Sequence, residues 1–114
     1  MEIMVWILQV ILGAAFLMAG LGKLAGSKMH KDSFTHWRLP QWFRLVTGGV
    51  EGIAGALLIA GFWQGDWIVY GAIMTAAVGV GGVATHVRVK DPMKATIPIA
   101  VLGILGLILT YLVY

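Results

Sequence analysis

The sequence predicts an all-α membrane protein, a bundle of four transmembrane helices with a short amphipathic segment between the first and the second. Three observations support this fold class. The chain of 114 residues is 60% hydrophobic and only 11% charged, against about 25% charged residues in soluble domains. It contains apolar runs close to the ~20 residues with which a helix crosses a bilayer. Its eight lysines and arginines all fall between these runs, in the stretches Lys23 to Arg44 and Arg88 to Lys94.

The apolar runs follow one another without a linker or an internal repeat, which predicts a single domain over residues 1–114. The predicted spans are about residues 3–22, 45–63, 67–86 and 96–114. Because every backbone polar group in lipid must be paired within the protein, each span should be a helix. The first span opens with Glu2 and not with a basic segment, so we expect a retained helix and not a cleaved signal peptide.

The segment from Leu24 to Phe43 is long for a connection with no structure of its own. Charged residues alternate in it with apolar and aromatic ones, which is typical of a short surface helix, here ending near Leu39-Pro40. We expect its aromatic side chains at the membrane interface; they are Phe34, Trp37, Trp42 and Phe43. The segment also contains His30 and His36, whose spacing does not place two ligands on one helical face. No metal site is therefore predicted.

The charge distribution predicts the orientation of the protein. With four spans, both basic stretches lie on one side of the membrane, and both termini lie on the other with the turn from Gln64 to Asp66. Short loops rich in lysine and arginine remain in the cytoplasm, so we expect a multi-pass protein of the cell membrane with both termini outside. Binding of anionic lipid head groups accounts for the remaining basic character, and no nucleic-acid partner is predicted.

Small residues form two ridges at four-residue spacing. The ridge on the second span is Gly48, Gly52, Ala56 and Ala60, and the ridge on the third is Gly71, Thr75 and Gly79. Small side chains let transmembrane helices approach closely, so both ridges are predicted to be packing surfaces.

Three ionisable side chains near the inner ends of the spans are the candidate functional residues: Lys23, Glu51 and His86. Glu51 follows Arg44 by about 10 Å of helix. An unpaired carboxylate at that depth costs a few kcal/mol, so it should be paired or face a wet cavity. We predict an ion pair between Lys23 and Glu51, with His86 close enough to share a proton, in a polar pocket open to the cytoplasm.

Each candidate also has a purely structural interpretation, and the sequence leaves it open. Lys23 can extend to the head groups, and His86 can be an interfacial histidine bonded to the backbone. Glu51 can form an ion pair, with Lys23 or an arginine, that only fixes the bundle.

Four motifs in order resemble those of the DoxX-like membrane proteins. They are Ala19-Gly20-Leu21-Gly22-Lys23-Leu24, Leu39-Pro40-Gln41-Trp42, Gly49-Val50-Glu51-Gly52-Ile53-Ala54-Gly55-Ala56-Leu57-Leu58, and Thr85-His86-Val87-Arg88 with Asp91-Pro92. The resemblance covers nearly the whole chain. It implies a four-helix membrane protein in which Lys23, Glu51 and His86 are the characteristic polar positions. Relatives in this family include the small membrane subunit of a thiosulfate-quinone oxidoreductase, bacterial proteins induced by quinone or oxidative stress, and an animal assembly factor for receptor channels.

Two functions stay open at this point. In the first, the protein binds a quinone or another small lipophilic ligand as a subunit or helper in membrane redox or stress response. Glu51 and His86 then exchange protons with the ligand, and Lys23 stabilises its anionic form. In the second, it is a non-catalytic membrane partner or assembly factor that docks other membrane proteins or a second copy through its glycine ridges.

The chain is not expected to be an enzyme on its own; the first function makes it a candidate subunit of an oxidoreductase. The sequence has no cysteine, which excludes thiol exchange and cysteine-ligated clusters. Any redox role must therefore use a bound cofactor, for which a quinone is the candidate.

Overall fold

The computed structural model describes residues 2–114 and consists of helices joined by short turns over that range. The helices are α1 (Glu2–Ala25), α2 (Lys28–His36), α3 (Gln41–Ala60), α4 (Asp66–Arg88) and α5 (Met93–Val113). Among the described residues, α1, α3, α4 and α5 are long and apolar enough to cross a membrane. The predicted four-helix membrane bundle, with a short helix between its first and second spans, is therefore confirmed.

The helix bounds differ from the predicted spans mainly at the basic end of the bundle, the end that carries α2 and the turn of residues 89–92. There α3 and α5 begin three or four residues before the apolar runs, directly after Pro40 and Pro92. A proline lacks the N–H of a continuing helix, so it fixes a boundary that hydrophobicity does not mark. At the opposite, terminal end, α3 stops at Ala60 because the chain turns toward α4 before Trp63.

The apolar core occupies the terminal half of the bundle. α1 packs against α3, α4 packs against α5, and α3 joins the two pairs. Leu12, Leu58 and Leu109 are fully buried at the centre, one each from α1, α3 and α5. The remaining buried apolar side chains of the cluster are Leu8, Phe16, Ala54 and Ala72. The tight packing in this half fixes the positions of the helices. At the basic end the same helices are more loosely packed.

The small residues of α4 pack as predicted. Gly71, Thr75 and Gly79 are all buried. A Cβ on Gly79 would overlap the Cα of Gly103, so the backbones of α4 and α5 touch there.

The predicted ridge on α3 is only partly correct. Gly48 is buried against Lys23, and a Cβ on Gly20 of α1 would overlap the backbone of Gly52. Ala56, however, is exposed, and the contact with α1 continues through Gly55 instead. Each four-residue step rotates the side chain by about 40° around the helix, so a strict four-residue ridge leaves the contact after two steps.

Candidate functional site

A cavity of about 480 Å³ lies between α3 and α4 at the basic end. Near the terminal end these helices touch, because a Cβ on Gly71 would lie 2.9 Å from the Leu58 side chain. Toward the basic end they diverge, and a Cβ on Gly81 would meet nothing within 4 Å. The volume is typical of small-molecule sites. Lys23, Glu51 and His86 all line this cavity, so the structure brings the three candidate residues to one place. Their role in binding stays a prediction.

Lys23 and Glu51 form a buried ion pair beside the cavity. Lys23 Nζ lies 2.6 Å from Glu51 Oε1, and the side chains are 9% and 6% exposed. The absence of a side chain at Gly48 leaves room for the Lys23 stem along α3. The alternative in which Lys23 extends to the head groups is therefore wrong for this structure, since the ammonium turns into the bundle.

Arg44 supports this arrangement from α3. Its side chain is buried, and its Nε donates to Gln41 Oε1 at 2.8 Å. Its guanidinium also donates to the carbonyl oxygen of Lys23, in the last turn of α1. A cation at a helix C-terminus satisfies free carbonyls and complements the helix dipole. Arg44 thus fixes the end of α1 next to the ion pair, a role that the sequence did not reveal.

His86 has a different partner from the one predicted. Its Nδ1 lies 2.6 Å from Asp91 Oδ2, and within residues 2–114 it makes no hydrogen bond to Glu51. The expectation of direct proton sharing between these two residues is therefore not met. The alternative in which His86 is hydrogen-bonded to the backbone is also wrong, because its ring Nδ1 is hydrogen-bonded to the Asp91 carboxylate. Trp37 packs edge-on against the imidazole, with ring centroids 5.3 Å apart.

Asp91 is the centre of a polar cluster at the basic end. Its Oδ1 lies 2.5 Å from His36 Nε2, and its Oδ2 also accepts a hydrogen bond from Trp37 Nε1 at 3.3 Å. The side chain is only 8% exposed. The hydrogen bond from His36, followed by those from His86 and Trp37, holds the pKa of Asp91 below its ordinary value, although burial opposes this. Asp91 is therefore a carboxylate at neutral pH.

The turn before Asp91, in which Lys90 has a left-handed backbone conformation, directs the Asp91 side chain toward this cluster. Lys90 has φ 60°, its N–H donates to the Val87 carbonyl, and the Asp91 N–H donates to the His86 carbonyl. These bonds are the Schellman ending of a helix, in which glycine usually takes the left-handed position. The turn brings the Asp91 side chain back over the last turn of α4.

The α2 helix and the turn after it cover the cavity, and we call residues 28–39 the cover segment. Phe34 is 2% exposed and, with Trp37, lines the cavity. Phe34 thus packs inside the protein and not against head groups as predicted, Trp37 is half-buried beside it, and Trp42, 65% exposed, faces outward. A hydrogen bond from the Arg88 guanidinium to the Trp37 carbonyl and the contacts of Asp91 hold the cover segment to α4.

Sequence reasoning did not identify Asp91 and His36 as site residues, although Asp91 is part of the fourth motif. His36 and Asp91 are separated by 55 positions, and their contact depends on tertiary packing. The available signal was the position of Asp91 between the last turn of α4 and Pro92, where an acidic side chain can turn back onto the helix end. Within residues 2–114 no cluster of three or more side chains suits a metal ion.

Comparison with models of known protein families gives a match. Residues 7–109 match the family model described as the DoxX-like family. This match covers nearly the whole chain. Neither a curated protein nor a solved structure matches.

Proposed function

The chain belongs to the DoxX-like family, and we propose that it binds a quinone or another small lipophilic ligand in the cavity between α3 and α4. It does so as a subunit or helper in membrane redox or stress response, and not as an enzyme on its own. The observation that carries the proposal is the buried pair of Lys23 and Glu51 beside a cavity of about 480 Å³. A pair that only fixed the bundle would need no open volume next to it, whereas small-molecule sites combine an apolar cavity with a few polar groups in its wall.

The rim of the cavity supports a ligand that arrives from the bilayer. Phe43, Val46 and Val50 line the cavity and are also exposed on the outer face of α3. On α4 the facing position is Gly81, which leaves the gap between the helices open. Because α3 and α4 are membrane-spanning helices, this gap faces acyl chains. An apolar tail can occupy it while the polar head group lies inside.

The ion pair of Lys23 and Glu51 in the cavity wall favours a ligand with a neutral head group. Lys23 and Glu51 together carry no net charge, and each has hydrogen-bonding capacity left after their contact: ammonium N–H groups on one and a carboxylate oxygen on the other. A ligand oxygen can accept from Lys23 and a ligand hydroxyl can donate to Glu51. Phe34, Trp37 and Phe43 provide aromatic surface for a planar ring.

A quinone and its reduced form, the hydroquinone, fit this description as a couple: both have a neutral planar head, an oxygen that can accept from Lys23 and an apolar tail, and the reduced form also has a hydroxyl that can donate to Glu51. When bound, it supplies two-electron, two-proton redox chemistry. In our proposal the chain's own residues orient the head group: Glu51 and His86 hold or release protons, and Lys23 stabilises negative charge on a ligand oxygen.

The non-catalytic alternative, a membrane partner or assembly factor with a structural polar trio, has less support. It requires small-residue surfaces that are free to dock other membrane proteins or a second copy. In this chain the closest glycine contacts are used internally, between Gly20 and Gly52 and between Gly79 and Gly103, and only scattered small residues such as Gly49 and Ala56 stay open on the surface.

Thermal unfolding in detergent tests the proposal. We expect a short-tailed ubiquinone or menaquinone analogue to raise the Tm of the wild type, and Glu51→Gln to abolish this ligand-induced shift. Asp66→Asn, which makes the same acid-to-amide change at the terminal end, is the matched control and should respond as the wild type does. A shift that persists unchanged in Glu51→Gln sinks the proposal in this form.

A further inference from the structure

The Asp91 carboxylate determines which nitrogen of His86 carries the hydrogen. An ionised carboxylate only accepts hydrogen bonds, so each nitrogen facing it must be a donor. Asp91 faces His36 Nε2, His86 Nδ1 and Trp37 Nε1 at 2.5, 2.6 and 3.3 Å. Neutral His86 is therefore the tautomer protonated at Nδ1, as when a buried carboxylate orients a catalytic histidine.

The opposite ring nitrogen of His86 is left without a hydrogen. In the described part of the chain, residues 2–114, no protein group makes a hydrogen bond to Nε2, and the imidazole lines the cavity. The hydrogen bond to Asp91 and the edge-on packing of Trp37, at an interplanar angle of 79°, fix the plane of the ring. A fixed acceptor beside a cavity can bind a hydroxyl hydrogen of a ligand.

We propose that Asp91 is a positioning residue that keeps His86 Nε2 available as a hydrogen-bond acceptor, and that the cavity therefore selects hydroxyl-bearing head groups. This inference rests on the proposed function and narrows its ligand class. The ligand is a lipophilic phenol or hydroquinone that donates a hydroxyl hydrogen to His86 or Glu51 and accepts from Lys23. A fully oxidised quinone accepts only and leaves these acceptors unpaired, so it binds more weakly.

His36 completes the cluster but does not determine the tautomer of His86. It contacts Asp91 Oδ1, whereas His86 contacts Oδ2, and the His36 side chain is largely exposed. Removing His36 therefore leaves the hydrogen bond between His86 and Asp91 in place, which makes His36→Gln a matched control for Asp91→Ala.

The first measurement needs no ligand. Nitrogen-15 NMR of histidine-labelled protein in micelles, recorded in alkaline buffer, should show His86 Nδ1 protonated and Nε2 bare. His36→Gln should retain this pattern, and Asp91→Ala should lose it. A neutral His86 protonated at Nε2 in the wild type overturns the proposal.

The second measurement compares a long-chain alkylphenol with its methyl ether, two redox-inert compounds that differ in one hydroxyl hydrogen. We expect the wild type to bind the phenol about tenfold more tightly, the effect of one good hydrogen bond. This preference should fall to less than about threefold in Asp91→Ala. His86→Phe keeps an aromatic ring but removes the acceptor nitrogen, so it should also lose the preference for the phenol. The contact between His36 and Asp91 stays intact in this variant.

The outcomes separate the two claims. Equal binding of both compounds to the wild type, or a preference that Asp91→Ala and His86→Phe leave unchanged, overturns the role of Asp91 while the cavity remains a binding site. Binding of neither compound, nor of quinone analogues, overturns the proposed function and the ligand class with it.

Discussion

Lys23 and Glu51 are stable in the bundle only as a pair. Both are buried, with 2.6 Å between Nζ and Oε1, so removing one leaves an uncompensated charge among apolar helices. We expect Lys23→Met or Glu51→Leu to lower the free energy of unfolding by about 3–5 kcal/mol, and the double variant to recover most of this loss. Equilibrium unfolding in mixed micelles gives the double-mutant cycle. A coupling energy near zero contradicts a direct pair.

Lys90 occupies a backbone conformation that favours glycine. Its φ of 60° is in the left-handed region, which costs a residue with a Cβ about 1 kcal/mol. Lys90→Gly should therefore raise the free energy of unfolding by up to about 1 kcal/mol. Lys94→Gly removes the same charge inside the first turn of α5 and should lower the free energy of unfolding by a similar amount, because glycine disfavours a helix. Equal effects of the two substitutions would show that the turn does not have this conformation.

At the residue scale, the sequence identified the side chains whose burial is exceptional in a membrane span. Glu51 stands out because an acid at that depth needs a partner, and Lys23 lies in the same leaflet in the predicted topology. The partner of His86 was not predictable in the same way. Asp91 lies in a turn, and its direction depends on the φ of Lys90, which no general preference of lysine indicates.

At the scale of elements, glycine contacts set the spacing of the helices. A Cβ on Gly79 would overlap the backbone of Gly103, whereas a Cβ on Gly49 would meet nothing within 4 Å. We expect Gly79→Ala to lower the free energy of unfolding by about 1–3 kcal/mol, because α4 and α5 must separate. Gly49→Ala is the control and should be neutral or slightly stabilising. Equal losses at both positions would argue against this contact.

The cover segment is attached to α4 through the Asp91 carboxylate, which makes the attachment sensitive to acid. The hydrogen bond from His36, then those from His86 and Trp37, lowers the pKa of Asp91 from 3.8. A depressed pKa in the folded state means that this stabilisation is complete above the unfolded value, near 4, and is lost as the pH falls through the lower folded value.

Hydrogen exchange measures this attachment. After correction for intrinsic rates, amides of residues 35–39 should stay protected from pH 7 to 5 and lose protection below about pH 4. Asp91→Ala should show the faster exchange already at neutral pH, while Asp32→Asn, an exposed acid on α2, should not. Unchanged protection in Asp91→Ala contradicts the attachment.

The elements themselves followed from the sequence to different degrees. The four spans were predictable because their hydrophobicity exceeds what a short soluble chain can bury, and Pro40 and Pro92 account for the helix starts that hydrophobicity missed. The inward direction of α2 was not predictable. Phe34 and Trp37 lie on one side of the cover segment, but an amphipathic helix can turn such a side to lipid or to protein, and only the packing of α2 against α3 and α1 decides.

At the scale of the whole molecule, the bundle divides into a tightly packed terminal half and an open basic half. The orientation of this arrangement stays a prediction, with the basic end in the cytoplasm. Because the sequence has no cysteine, single cysteines at the exposed positions Met29 and Gln64 can report it. On intact cells an impermeant maleimide should label Gln64→Cys, and should label Met29→Cys only after permeabilisation. The reverse pattern would invert the topology.

The central claim is that a lipophilic ligand binds between α3 and α4 at the basic end, and photoaffinity labelling tests it most directly. A photoreactive hydroquinone or phenol analogue is cross-linked to the protein in lipid vesicles, and the labelled residues are mapped by mass spectrometry. We expect labels on cavity residues such as Phe43, Val46 and Trp37, removed by excess unlabelled compound and absent in Glu51→Gln. Labels spread over the lipid-facing surface, or confined to the terminal half, and insensitive to competitor would contradict the claim.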